Sequence, residues 1–372
     1  MFFRQPLFLL GALFVVLHLA LWLTKGISLD LEAEKYISQG KILFERGGLS
    51  ESKYVFYLPV ILLVWLCHWL HISVVWVALF QVLLSAVGQY YFFRLVKANA
   101  GQSAALLASL LLLVFLPLQL WNFFLYTDSI FISLTLIYFW IIYRHAGRGW
   151  AGNLFVLLML MLLVVSRPHG LLFIPPTFIY YLLLAPSARQ RWVTVAAGAL
   201  VLMVMFLFMN RIFTGGEDMD ALKPFVEEHV ICFVPQNPAG ADLILQKTDS
   251  PVADIIYYAW HNPVHFLRLM ALRLYSFFNL TRPYYSMIHN IGLLAFLIPM
   301  YLFALAGIRR AWYQQRPLVF FFILFLILYP MGITFQCDDW HSRFTMMVIP
   351  LFIFFAVYAL TSTDIWKRNF SK

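Results

Sequence analysis

The sequence predicts an all-α, polytopic membrane protein with about ten transmembrane helices. Three observations carry that expectation. The 372 residues are 63% hydrophobic and only 12% charged, where a soluble domain carries about twice that charge. Long apolar runs alternate with short polar breaks. Every second break is basic: Arg94/Lys97, Arg144/Arg148, Arg189/Arg191, Arg309/Arg310/Arg316 and Lys367/Arg368, with Arg4 at the start. Positive charge at span ends stays cytoplasmic, so both termini are expected inside. The acid-bearing breaks (Asp30 to Glu34, Asp128, Glu217 to Glu228, Asp338/Asp339) then face the extracytoplasmic side. The formal charge of +9 is largely accounted for by the cytoplasmic flanks and calls for no nucleic-acid partner.

Leu7–Leu23 is apolar for longer than a signal-peptide core and precedes no small-residue cleavage site, so it reads as a retained first helix. Residues 30–72 form a first outer loop with helical character from Leu31 to Phe44. Tyr54–His71 is short and broken by Pro59, His68 and His71. Counting it as a full crossing would put Arg94 and every later basic cluster outside. It is therefore read as a juxtamembrane or re-entrant segment, which needs a protein cover for its backbone. The remaining runs alternate: Val74–Phe93 inward, Ala104–Leu120 outward, Ile130–Tyr143 inward, Leu154–Val165 outward, Leu171–Leu184 inward and Val193–Phe213 outward. Pro175-Pro176 is expected to kink its span. Residues 214–290 make a long outer segment with a membrane-surface stretch, His261 to Tyr285. Ile291–Ile308, Leu318–Phe335 and Met346–Leu360 complete one transmembrane domain over 1–372.

No Walker motif and no GxGxxG strand–helix unit is present, which excludes an encoded ATPase engine and a dinucleotide fold. The three cysteines, Cys67, Cys232 and Cys337, have no zinc spacing. Cys232 and Cys337 both fall on the outer side, where a disulfide and two free thiols are both open. Asp218-Met-Asp220 has the look of a metal-binding acid pair, but a solvated acidic loop is the default. Asn279-Leu-Thr281 matches a glycosylation sequon.

Chemistry-bearing residues gather in the outer breaks. In a helical first loop Asp30 and Glu34 share a face while Glu32 points elsewhere. A carboxylate above a span can act as general base, though an amphipathic surface helix has the same pattern. Asp128 either caps the next helix or orients a site. Arg167, in Arg167-Pro168-His169-Gly170, lies at an apolar boundary where positive-inside bias does not ask for it. Arg282-Pro283-Tyr284-Tyr285 and Asp338-Asp339-Trp340-His341-Ser342-Arg343 complete the set. Arg343 can grip a phosphate at headgroup depth, or it simply pairs with Asp339.

These segments resemble the GT-C class of integral-membrane glycosyltransferases. The likeness is to the glycosyltransferase family 39-like branch with protein O-mannosyltransferases and lipid A aminoarabinose transferases. It rests on Asp30-Leu-Glu32-Ala-Glu34-Lys-Tyr36 with Gly47-Gly48-Leu49 and Tyr57-Leu-Pro59, on Gln119 to Asp128, on the Arg167-Pro-x-Gly turn, and on Arg343-Phe344 with Pro350. The family usually has adjacent Asp-Glu in the first loop. Here the acids are Asp30-x-Glu32, so either is a candidate base.

The resemblance implies an inverting, polyprenyl-phosphate-sugar-dependent transferase acting on the extracytoplasmic face of a bacterial inner membrane. The acceptor would be a hydroxyl of a glycan, lipid or protein. Asp30 or Glu32 would be the base and Asp128 would orient the site. Arg343, with Arg282 or Arg167, would hold the donor phosphate. Glu34, Tyr57, His169, Tyr284, Tyr285, Asp339 and His341 would line the substrate site. No cofactor is implied, and a divalent metal is compatible but not required. His261–Tyr285 would act as a lid. With no large domain after the last span, acceptor choice stays open. The rival reading is a transporter or flippase of a lipid-linked sugar, which would place its polar site near the midplane of the bilayer.

Overall fold

The structure, a computed structural model, describes residues 5–214, 222–248 and 250–361. Asp218 and Asp220, and the basic residues Arg4, Lys367 and Arg368, lie outside the described residues. The chain is helical: α1 (Gln5–Lys25), α2 (Glu32–Arg46), α3 (Leu58–Trp69), α4 (Val75–Ala100), α5 (Gln102–Val114), α6 (Leu116–Leu120), α7 (Thr127–His145) and α8 (Gly149–Ser166). There follow α9 (Ile174–Leu184), α10 (Ala188–Thr214), α11 (Lys223–Val226), α12 (Pro251–His261), α13 (Pro263–Phe278), α14 (Met287–Trp312), α15 (Arg316–Thr334) and α16 (Ile349–Thr361). Short 3₁₀ turns precede α3, α7, α9 and α16.

Helix α7 is the axis of the bundle. Every residue from Thr127 to Ile142 is buried. It packs on α4 and α8, and Gly88 of α4 lets the two backbones meet: a Cβ there would lie 3.0 Å from the Ser133 backbone. α14 and α16 meet more closely still at Gly307, where a Cβ would fall 1.8 Å from the Phe355 carbonyl oxygen. Small residues permit such approach where no hydrophobic force drives helix association in lipid.

Among the described residues six helices are long and apolar enough to cross a membrane, or seven if the pair Gln102–Val114 and Leu116–Phe123, bent by 64°, counts as one crossing. Length and composition alone therefore give fewer spans than the expected ten or so. α7 carries Thr, Ser and Asp residues that lower its hydropathy, and the apolar stretches Pro168–Leu184 and Ile349–Thr361 are too short to count by length alone. The bend between α5 and α6 frees the Leu112 carbonyl, and Gln119 Nε2 donates to it at 2.7 Å, as a broken helix in a membrane requires. The two prolines of Pro175-Pro176 do not kink a longer span. They sit in the first turn of α9, where a missing N–H costs nothing.

Ser52–Trp69 is long and apolar enough to cross, yet both its ends lie toward one end of the bundle. Tyr57 stands 5.4 Å from Tyr36, near the start of α2. Trp69 leads within a few residues into α4, whose Gln81 donates to the Phe124 and Tyr126 carbonyls at that same end.

The outer segment is fastened at several points. Arg273, 1% exposed, donates to the carbonyls of His229, Thr334 and Pro224 at 2.8–3.0 Å. Cys232 and Cys337 form a disulfide, which decides the alternative left open by the sequence. The stretch expected to serve as a lid is thus tied to the end of α15. Asn279 of the sequon accepts from the Thr281 hydroxyl at 2.7 Å.

Candidate active site

Four breaks of the chain meet at one end of the bundle. Ser28 donates its N–H to the Phe123 carbonyl and accepts from Leu125, joining the end of α1 to the segment before α7. Leu31, with φ of 58°, turns the chain sharply so that α2 begins at Glu32. The turn after α8 brings Arg167, and the 3₁₀ turn before α16 brings Arg343.

Arg343 is the hub. Its Nη1 and Nη2 donate to the two carboxylate oxygens of Glu32, each at 2.8 Å, across 311 residues of sequence. Its Nε lies 3.0 Å from Asp339 Oδ2, and Nη1 lies 3.7 Å from Asp128 Oδ2. Asp128 is fully buried and paired through its other oxygen with Arg167. Asp128 sits in the first turn of α7, and its carboxylate turns to Arg167 and Arg343 and makes no bond to a backbone N–H there. Both guanidinium groups lie over the ring of Phe344, at 5.1 and 5.2 Å, a favourable cation–π geometry. Lys35 Nζ reaches Glu32 at 3.6 Å and sits over the Tyr36 and Tyr57 rings at 4.9 and 5.2 Å. Three carboxylates (Glu32, Asp128, Asp339) thus meet three cations (Arg343, Arg167, Lys35). Near-neutrality lets the cluster persist at this depth, since buried charges must be paired.

Burial alone would raise the Glu32 carboxyl, but the hydrogen bonds and charge of Arg343, then Lys35 and Arg167, outweigh it and hold the group far below the usual carboxylate range. Burial would likewise lower Arg343, but Asp339 and Glu32 hold it above its ordinary value. Lys35 is lowered, mainly by burial, against the pull of Glu32.

The remaining expected residues are distributed as follows. Asp30 and Glu34 are exposed; the Asp30 carbonyl accepts from the Tyr126 hydroxyl at 3.3 Å, which keeps its backbone at the rim of the cluster. The Gln336 amide donates to His169 Nε2 at 2.7 Å, and the His169 ring lies edge-on to Phe344 at 5.1 Å. Tyr284 donates to the Trp340 carbonyl, and Tyr285 lies 3.4 Å from His341 Nδ1. Arg282 is 3% exposed and pairs with Asp338 at 2.7 Å; no ion pair joins it to Glu32 or Asp128 among the described residues.

Beside the cluster opens a cavity of about 310 Å³. Its walls are mostly apolar, from Pro117, Leu120, Trp121, Phe123 and Phe124 on one side and Leu280, Leu293 and Met346 on the other. Its polar lining is Lys25, Ser28, Tyr285, His289, His341 and Ser342. Sequence reasoning missed Lys25, Lys35 and the aromatic wall. Lys35 was detectable as a cation one helical turn from Glu32, whereas nothing in the sequence ties the aromatics of 121–124 to the end of α1. Among the described residues no three His, Cys, Asp or Glu side chains come together as a metal site.

The model of the family of dolichyl-phosphate-mannose-protein mannosyltransferases matches residues 58–212. No curated protein sequence matches the chain. Among solved structures, the crystal structure of ArnT from Cupriavidus metallidurans bound to undecaprenyl phosphate is similar, with a TM-score of 0.51 at 12% identity. The match covers 95% of this chain and 60% of the ArnT chain, so the chain spans about three fifths of that relative's length. The fold is the polytopic helical fold seen in ArnT, and the protein is a multi-pass membrane protein.

Proposed function

We propose that this chain is a glycosyltransferase that moves a monosaccharide from a polyprenyl-phosphate carrier to a hydroxyl acceptor on the extracytoplasmic side of a bacterial inner membrane. One observation carries the reading: the turn that brings Arg343 into the charge-balanced Arg343–Glu32–Asp128–Arg167 cluster also places His341 and Ser342 in the wall of a mostly apolar cavity that Lys25 lines as well. The family match and the likeness to ArnT, whose structure holds undecaprenyl phosphate, support it. The polar groups at this end of the bundle favour it over a flippase, which needs a site that is reached from both faces. The side of the membrane follows from the basic clusters at the opposite span ends.

In this reading the first isoprene units of the carrier lie along the Trp121–Phe124 wall, and the phosphate meets Lys25 and Arg343. Arg343 cannot offer its fork while Glu32 occupies both Nη positions. The donor phosphate therefore displaces Glu32 and takes its place, a bidentate exchange that suits guanidinium geometry. The displaced carboxylate loses the partner that depressed its proton affinity and becomes a competent base. The acceptor oxygen then attacks the anomeric carbon with inversion. Its proton passes to Glu32, and the anomeric C–O bond breaks with its electron pair going to the phosphate. Arg343 and Lys25 stabilise the charge that develops on that leaving group. Asp128 and Arg167 hold Arg343 in place from behind, and Asp30, exposed at the rim, faces the acceptor.

The test is direct. Purified protein in detergent or liposomes is given polyprenyl-phosphate sugars with candidate acceptors, and release of polyprenyl phosphate is followed. Sugar-dependent release that is lost in Arg343→Ala supports transfer. Movement of intact donor across the liposome membrane without cleavage would establish the flippase instead.

A further inference from the structure

Asp338 has no place in the mechanism above, yet it is 1% exposed and accepts from three directions. Arg282 Nη2 reaches it at 2.7 Å, Ser276 Oγ at 2.8 Å and the Asp339 N–H at 2.8 Å. Burial raises its carboxyl, opposed by Arg282 and those bonds. Arg282 Nη1 donates to the carbonyls of Asn279 and Thr281 at 2.7 and 3.2 Å, and Nη2 also donates to that of Asp339 at 3.3 Å. The same turn is stitched to the outer segment by Cys232 N–H to the Asp338 carbonyl and Asp338 N–H to the Val230 carbonyl, both 2.8 Å, beside the Cys232–Cys337 disulfide. The next residue, Asp339, holds Arg343 Nε at 3.0 Å. A continuous line of contacts thus runs from Arg282 through Asp338 and Asp339 to the hub of the site.

We propose that Arg282 and Asp338 are a positioning pair: they set the angle at which Arg343 meets the donor phosphate, and neither touches substrate. The proposal rests on the reading that Arg343 receives that phosphate. It makes a prediction of definite sign. If Arg282 contacted the phosphate itself, Asp338→Asn would free its guanidinium, remove a negative charge near an anion and tighten donor binding. A positioning pair demands the opposite: weaker binding although the charge change favours the anion, because a displaced fork loses one of its two charge-assisted hydrogen bonds to phosphate, which costs ~10- to 150-fold in affinity.

The experiment measures polyprenyl-phosphate binding and donor KM in wild type, Asp338→Asn, Arg343→Lys and the double variant, with Ser276→Ala as a milder loosening of the same carboxylate. Expected are a ~10- to 150-fold rise in Kd and donor KM for Asp338→Asn, a smaller rise for Ser276→Ala, and little further effect of Asp338→Asn once Arg343 is lysine, since coupled sites do not add. Unchanged or tighter binding in Asp338→Asn, or losses that add fully with Arg343→Lys, would overturn the positioning pair while leaving the transferase reading intact. A wild type that neither binds polyprenyl phosphate nor cleaves the donor would overturn both.

Discussion

Replacing Glu32 by glutamine separates the two roles that the proposed mechanism gives to one side chain. Glu32 accepts from both Nη groups of Arg343 at 2.8 Å. Hydrogen bonds to a charged group contribute about 1.5–3 kcal/mol each. Glutamine has one acceptor oxygen, so it keeps one of the two bonds and loses the charge. A phosphate arriving at Arg343 then has about 1.5–3 kcal/mol less to displace, which corresponds to ~10- to 150-fold tighter binding. Glutamine also cannot take a proton from the acceptor, so turnover falls by ~10²- to 10⁴-fold. The variant therefore binds polyprenyl phosphate better and turns over worse. Equilibrium binding of polyprenyl phosphate, read by intrinsic tryptophan fluorescence with Trp121 in the cavity wall, gives the first quantity, and single-turnover release gives the second. Binding that is unchanged or weaker would refute the competition between Glu32 and phosphate. Near-normal turnover would move the base to Asp30, and Asp30→Asn would then carry the loss.

Three further outcomes are expected. Arg343→Ala leaves Glu32, Asp128 and Asp339 around an unneutralised gap and should cost about 3–5 kcal/mol of stability, read as a lower detergent-phase melting temperature, whereas Arg343→Lys should fold but bind donor weakly because it lacks the fork. Glu32 has a folded-state pKa below its unfolded value of about 4.3, so its stabilisation is fully present above that unfolded value and fades as pH falls through the folded one; the stability difference between wild type and Glu32→Gln should be level at neutral pH and shrink only in strong acid. Gly307→Val places atoms within 1.8 Å of the Phe355 carbonyl and should separate α14 from α16, with a loss of several kcal/mol by overpacking and poor membrane expression.

The sequence by itself determined the solvent and the polarity of the molecule. Its apolar runs and alternating basic breaks dictate a helical bundle in a bilayer, because backbone groups in lipid must bond within their own helix. The same alternation brings Glu32, Asp128, Arg167 and Arg343 to one end. What it could not specify was which charge meets which. The i,i+4 pair Asp339–Arg343 is local and was legible; the Glu32–Arg343 pair spans 311 residues and exists only once α2 and α16 share an end of the bundle. Arg282 looks in sequence like a phosphate ligand, but packing of α13 against the end of α15 buries it on Asp338. A disulfide between Cys232 and Cys337 is likewise a statement about tertiary distance. Charge patterning sets the depth and side of a group through its solvation, which each residue feels alone, whereas pairing depends on a few ångströms between segments that only the folded bundle brings together.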